Sequence, residues 1–423
     1  MSRMSRVLAL LLAAFVTVGL AASSFDVAAQ DKKDKKEDKK DKKEDKKEPP
    51  KEEKKEPFKA DQAQQEFTYI LKGEKDDTGK TFWVTSVAFG ADGKTVAASY
   101  RDNTIKIWDL AARKDGVSIK APTLKGLGEY HGLLYANGQL FVGTGQLIKA
   151  TKEKEKAKEK EKEKDKAKEK AKEVERPFRF GEIKIFDAKT GKPGPSLIGH
   201  NLNIEALAIS KDGKELASGS DDNTVKIWDL AKGKDMLTIK GHTDTVTGVS
   251  FSPDGKQLAT TSLDKTLRVW DIAGAKEIAS FKIEREVEVK DAKGKVSKTK
   301  EVGRDFTRAV FTNDGKKVIA ANRDGVIKIY DVESKKELQE LKAHEGVLSL
   351  ALSPDGSKFA TGGYDGTIKI WAADGKDLKT IKAHINPTRT GEPGSVNSLS
   401  FSSDGLLLAS GGIDGVVKIW SVK

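Results

Sequence analysis

GHNLNIEALAISKDGKELASGSDDNTVKIWDL, residues 199–230, decides the fold. Apolar and small residues alternate in short runs, as strands require. A KDG turn separates the first two runs, and Asp-Gly suits a hairpin because its turn needs positive φ. The stretch closes on an aromatic followed by Asp. KELASGSDDNTVKIWDL from Lys214 recurs as KQLATTSLDKTLRVWDI from Lys256, SKFATGGYDGTIKIWAA from Ser357 and GLLLASGGIDGVVKIWSV from Gly405. The same turn recurs as ADG at Ala91, PDG at Pro253 and Pro354, NDG at Asn313 and SDG at Ser403.

The closing aromatic falls at Trp108, Phe186, Trp228, Trp270, Tyr330, Trp371 and Trp420, which makes seven units. The undisturbed spacings are 42, 42 and 41 residues. A period near 42 with four short strands per unit predicts an all-β, seven-bladed propeller. The chain ends at KIWSVK, a third strand with no fourth behind it, whereas FTYILK, Phe67–Lys72, is an outer strand ahead of the first unit. The N-terminal strand is therefore expected to close the last blade and leave only short sheet edges.

These units resemble the WD40 repeat family over Phe67 to Lys423. Its GH…WD signature stands outright in the opening stretch and in GHTDTVTGVSFSPDGKQLATTSLDKTLRVWDI. The resemblance implies a His, Ser/Thr, Asp and Trp brace within a blade. The third unit supplies His200, Ser218, Asp222 and Trp228; the fourth, His242, Thr260, Asp264 and Trp270. The sixth supplies His344, Thr361, Asp365 and Trp371; the seventh, His384, Ser410, Asp414 and Trp420. The first keeps Asp102 and Trp108 but has Ala98 and no His; the fifth keeps Asp324 but has Ala320 and Tyr330; the second keeps only Phe186. His and hydroxyl are thus present together or absent together, as bonded partners should be. Such residues imitate a metal site or a Ser-His-Asp triad. They occur once per blade, too far apart to share a metal, and are read as structural polar groups.

Composition narrows the chemistry. The 423 residues contain no Cys, which removes disulfides, thiolate catalysis, Cys-ligated zinc and a lipid-anchored Cys. Residues 1–29 read as a signal peptide: Arg3 and Arg6, the apolar run Val7 to Leu20, then Val27-Ala28-Ala29. An uncleaved anchor is the competing reading. Residues 30–66 form a Lys/Asp/Glu-rich linker with almost no apolar residue, which cannot offset its ordering entropy. A second charged run, 148–179, interrupts the second unit. The two runs and the first segment hold +7 of the net charge of +12. Acids alternate with bases in residues 31–57 and 149–176, and aromatics are absent from both stretches, unlike a nucleic-acid face. No nucleic acid is expected as a partner, and the Lys-rich tail is a means of envelope attachment.

Strands alternate in direction, so second-to-third and outer-to-inner loops share one face, here the upper. The insertions at 148–179, 284–305 (EREVEVKD and KVSKTKEV alternating around a KG turn, as in a hairpin) and 384–395 all belong to such loops. The N-terminal tail and the C-terminus belong to the lower face. The 148–179 run would then be an arm over the upper face. It balances like charges at i,i+4 against opposite charges at i,i+3, so a frayed helix is expected.

By resemblance the upper mouth of the channel is the contact surface. Trp83, Arg101, His131, Glu205, Asp221, Arg323, Tyr364 and Asn397 point there and are the candidate partner-binding residues. The chain is expected to be an exported, bacterial-type scaffold, periplasmic or in the cell envelope. It is read as a monomeric propeller that binds a protein or peptide, with no catalytic residues, metal or cofactor. The competing readings are a hydrolase-like propeller enzyme and a binder of anionic envelope polymers.

Overall fold

The computed structural model describes residues 67–73, 81–112, 114–120, 132–148, 178–290, 296–388 and 392–422. Residues 1–66, His131, the 149–177 run and the KG turn within 291–295 lie outside them. Every regular element among the described residues is a strand, in seven antiparallel four-stranded sheets and one two-stranded ribbon. Each sheet is one blade. The inner strands Val84–Phe89, Gly132–Ala136, Ile204–Ile209, Val246–Phe251, Phe306–Phe311, Val347–Leu352 and Val396–Phe401 touch in succession. The last touches the first, so the ring is closed.

Phe67–Lys72 closes it. This strand pairs antiparallel with the third strand of blade seven, Val416–Ser421, from Phe67 opposite Trp420 to Lys72 opposite Val416. The inner edge is fastened as well. Asn397 Nδ2 donates to Val84 O at 2.8 Å, and Val87 and Phe89 N–H donate to Ser398 and Ser400 Oγ, each at 3.0 Å.

Packing explains the aromatic at the end of each unit. Trp228 sits with Phe141 and Ile183 of the preceding blade, Trp270 with Ile227, and Trp371 with Ile329. Trp420 meets Ile370, and Trp108 meets Val417 and Ile419 across the closing seam. Phe186 and Tyr330 occupy the same wedge position beside Ile107 and Phe281. Burying one such ring removes roughly 150–250 Å² from water, about 4–6 kcal/mol at 25 cal/mol per Å². Seven wedges thus hold seven interfaces.

The turns follow the predicted chemistry. Gly93, Gly213, Gly255, Gly315, Gly356 and Gly405 all have φ between 62° and 72°. Blade two uses a two-residue Asn137-Gly138 turn with both φ positive, at 52° and 71°.

Strand pairing runs into the insertions. Residues 148, 178 and 179 belong to strands. Gln139–Ile148 pairs with Phe178–Asp187 along its whole length, past the inner strand, as a ribbon. Within 284–305, Glu284–Lys290 pairs with Val296–Val302 in an antiparallel hairpin, because both arms alternate in period 2. In 384–395, an Ile385–Pro393 bridge and an Asn386 N–H bond to Glu392 O at 2.8 Å pinch the base of the loop.

Candidate functional site at the upper channel mouth

The four complete braces form one relay each. In blade three, Trp228 Nε1–H donates to Ser218 Oγ at 2.8 Å, and Ser218 Oγ lies 2.7 Å from His200 Nε2. His200 Nδ1 lies 2.9 Å from Asp222, which also accepts Asn201 N–H at 2.8 Å. With Ser218 accepting from Trp228 and turning its own proton to Nε2, the ring presents Nδ1–H to Asp222.

The other braces repeat this. His242 lies 2.8 Å from Asp264 and 2.7 Å from Thr260, which Trp270 reaches at 2.8 Å. His344 lies 3.1 Å from Asp365 and 2.8 Å from Thr361, which Trp371 reaches at 2.9 Å. His384 lies 2.9 Å from Asp414 and 2.8 Å from Ser410, which Trp420 reaches at 2.8 Å. Burial alone would raise Asp222 and Asp264. Hydrogen bonds from His200 and Thr224, and from His242 and Thr266, hold them well below the usual carboxylate range. Burial pulls His384 below its ordinary value, against the opposing Asp414.

The Ser-His-Asp order mimics a catalytic triad, but the hydroxyl is not a nucleophile. Ser218 and Ser410 are 0% exposed, and each Oγ is held by an indole N–H. Among the described residues no group of three or more His, Asp or Glu is placed to hold a metal. Where His is missing the brace is shortened: Asp102 bonds Thr104 N–H and Oγ1, and Asp324 accepts Arg304 N–H at 2.6 Å.

The same loops build the upper face. The residue before each brace Asp donates its N–H to the residue entering the inner strand: Arg101 to Trp83 O, Arg323 to Asp305 O and Tyr364 to Gly346 O, each at 3.0 Å. This places the candidates as follows. Trp83 is half-buried, with the exposed Arg101 guanidinium 4.7 Å above its ring. Asp221 joins two blades, accepting Asn203 Nδ2 and Thr245 Oγ1, each at 3.1 Å. Arg323 is half-buried beside the mouth, and the Tyr364 ring lies on Gly346 with 44% exposed. Glu205 and Asn397 line the channel. His131 lies outside the described residues.

The channel is a cavity of about 190 Å³ lined by residues of all seven inner strands. Seven equivalent positions ring it: Ser86, Gly132, Ala206, Gly248, Arg308, Ser349 and Ser398. Six are small and one is Arg. Arg308 was not among the candidates; the signal was FTRAVF, where the other units read VTSVAF, VTGVSF or VNSLSF. Its Nη1 donates to Thr307 O at 2.9 Å and to Thr247 O of the neighbouring blade. Burial, countered by Glu205 and reinforced by Arg323, pulls its guanidinium below the ordinary value. Asp305, a second residue not singled out, is raised by burial, against Arg323 and Lys265.

Exposed apolar side chains stand on the upper-face connections of three blades. Tyr364, Ile385 at 62% and Val302 at 57% exposed lie on loops entering or crossing blades five to seven. The loops are neighbours: a Cβ on Gly346 would meet both Arg323 O and the Tyr364 ring, and one on Gly366 would meet His384 O and Pro393.

A ring of seven four-stranded blades, with a brace and an aromatic wedge repeated in most of them, defines a β-propeller with a narrow polar channel. Five stretches match the family model described as WD domain, G-beta repeat: residues 68–109, 191–229, 233–271, 335–372 and 375–421. The chain is a WD40-repeat propeller. The two blades outside these matches end in Phe186 and Tyr330 rather than Trp, and each adjoins an insertion.

Relatives align in part. The chain is 37% identical over 68 residues to the serine-threonine kinase receptor-associated protein of Dictyostelium discoideum, 16% of this chain and 23% of that one. It is 35% identical over 79 residues to WD repeat-containing protein 55 of Danio rerio, 18% of this chain and 20% of that one. Over 112 residues it is 33% identical to the WD repeat-containing protein 55 homolog of Drosophila willistoni, 25% and 22% of the two chains. The aligned stretches thus span less than a quarter of each relative. These relatives are eukaryotic, so the bacterial-type reading draws no support from them.

Proposed function

We propose that this protein is a non-enzymatic interaction platform that holds a protein or peptide partner on the upper face of the propeller. WD repeat proteins generally act as scaffolds for protein–protein interaction. The observation that carries the proposal here is that Tyr364, Ile385 and Val302 are exposed on upper-face connections of three blades, with Tyr364 beside the Arg323 loop. Exposed apolar anchors within a polar rim suit a protein interface. A cavity of about 190 Å³ is below the roughly 300–1,000 Å³ of small-molecule sites, but it accepts one side chain of a partner.

The remaining assignments rest on residues 1–66. Residues 1–29 direct export, the propeller works in the periplasm or cell envelope as a monomer, and the 30–66 tail spaces it from its attachment. The test uses the chain from Gln30 to Lys423 as bait in an envelope extract, with captured proteins identified by mass spectrometry. A matched bait carries Trp83→Ala, Arg323→Glu and Tyr364→Ala. The proposal expects a partner held by the first and lost by the second at equal melting temperature. A partner held equally by both baits would remove the upper face. Specific turnover of simple esters or lactones, lost with the same substitutions, would replace the platform with an enzyme.

A further inference from the structure

Six of the seven positions that ring the channel carry Ser, Ala or Gly, and Arg308 alone carries a charge. Its guanidinium turns back toward the start of the inner strands, where Thr247 O and Thr307 O hold Nη1. Among the described residues no hydrogen bond engages the remaining guanidinium nitrogens, and they are not sealed off from solvent. Arg323, on the loop above, has its Nε buried without a hydrogen-bond partner and no carboxylate in ion-pair range among the described residues. Two cations thus share a poorly solvated mouth, close enough to weaken one another. Glu205 offsets the effect on Arg308, and Arg323 in turn acts on Asp305. Buried donors without acceptors are costly, and a guanidinium fork matches a carboxylate best. Arg323 Nε is thus a buried donor in want of an acceptor among the described residues.

The neighbourhood selects the source of that acceptor. Tyr364 lies one loop away, since Gly346 touches both its ring and the carbonyl of Arg323. A charged pocket beside an exposed ring fits two nearby side chains of one chain better than a free ion.

We propose that the channel mouth reads an acidic side chain. The carboxylate of an Asp or Glu in an extended peptide segment enters the channel and binds the guanidinium groups of Arg308 and Arg323. A neighbouring apolar residue of the same segment packs on Tyr364. This rests on the upper-face reading above and names the chemistry of its partner.

The test pans a displayed library of random 12-residue peptides against the full chain and against Arg323→Glu, Arg308→Gln and Tyr364→Ala. Melting curves confirm folding; Arg323 lies on a loop, so its variant decides the matter if Arg308→Gln does not fold. The wild-type protein should enrich peptides with Asp or Glu at one position beside an apolar residue. In a synthetic winner, replacing that acid by Asn or Gln should weaken binding about tenfold to a hundredfold, as for a charge-assisted hydrogen bond. Arg323→Glu should shift the selected position to Lys or Arg. Peptides lost with Tyr364→Ala but lacking an acidic position overturn the proposal and leave the platform standing. An acidic preference unchanged by Arg323→Glu also overturns it. A library without enrichment removes it and leaves the capture experiment to judge the platform.

Discussion

Removing one hydroxyl from a brace should cost far more than the atom count suggests. Ser218 is 0% exposed, and His200 and Trp228 are each 1% exposed, so no water replaces what Ser218→Ala takes away. Two groups lose their partner at once, the Trp228 indole N–H at 2.8 Å and the His200 Nε2 lone pair at 2.7 Å. An unsatisfied buried group costs about 1–3 kcal/mol, so the variant should lose about 2–6 kcal/mol. In a His200→Leu background only the indole is orphaned, and the same substitution should cost about 1–3 kcal/mol. The two losses therefore differ by about 1–3 kcal/mol, the coupling of a double-mutant cycle. Urea unfolding of the four proteins measures it, provided the slope with denaturant stays constant. A loss below about 0.5 kcal/mol, or equal losses in both backgrounds, would refute the relay. Blade five is the natural counterpart, with Ala320 at the hydroxyl position, no His and Tyr330 in place of the indole.

Deleting Phe67–Lys72 should sharply lower the melting temperature, because it strips the outer strand from blade seven and takes Tyr69 and Leu71 away from the core they pack on; an unchanged melt would show that this strand does not close the ring. Stability should fall with acid in two stages. His384 lies below its ordinary value in the fold, so below about 6.5 the unfolded chain binds more protons and stability drops. Asp222 and Asp264 lie low, so their contribution is complete above about 4 and is lost below it. Melting curves that do not move between about pH 7.5 and 5.5 would contradict the first stage. Replacing 149–177 by an Asn-Gly turn between the paired Ile148 and Phe178 should raise stability by up to about 2 kcal/mol through reduced loop-closure entropy. A lower melting temperature would mean that the charged run packs on the propeller.

Much of this architecture was legible because the propeller is quasi-one-dimensional. Each blade forms from contiguous residues, so strand alternation, Asp-Gly turns and the Trp period write it directly into the chain. The brace was legible for the same reason, since His, hydroxyl, Asp and Trp fall within about one repeat. The pairing of Ile148 with Phe178 was not, because it joins two strands that meet across the charged run.

The sequence by itself determined seven blades and their closing aromatics, local patterns repeated at near-regular spacing; the resemblance they carry implied the braces, and the unpaired strands at the two ends implied the closure. Only the tertiary structure decided what the channel is. Its wall takes residues from each of seven strands spread over some three hundred residues. No spacing rule links Glu205, Arg308 and Arg323, or Tyr364 with Gly346. Their proximity exists because ring closure sets seven inner strands around one axis, where a single Arg among small residues turns a structural channel into a charged mouth.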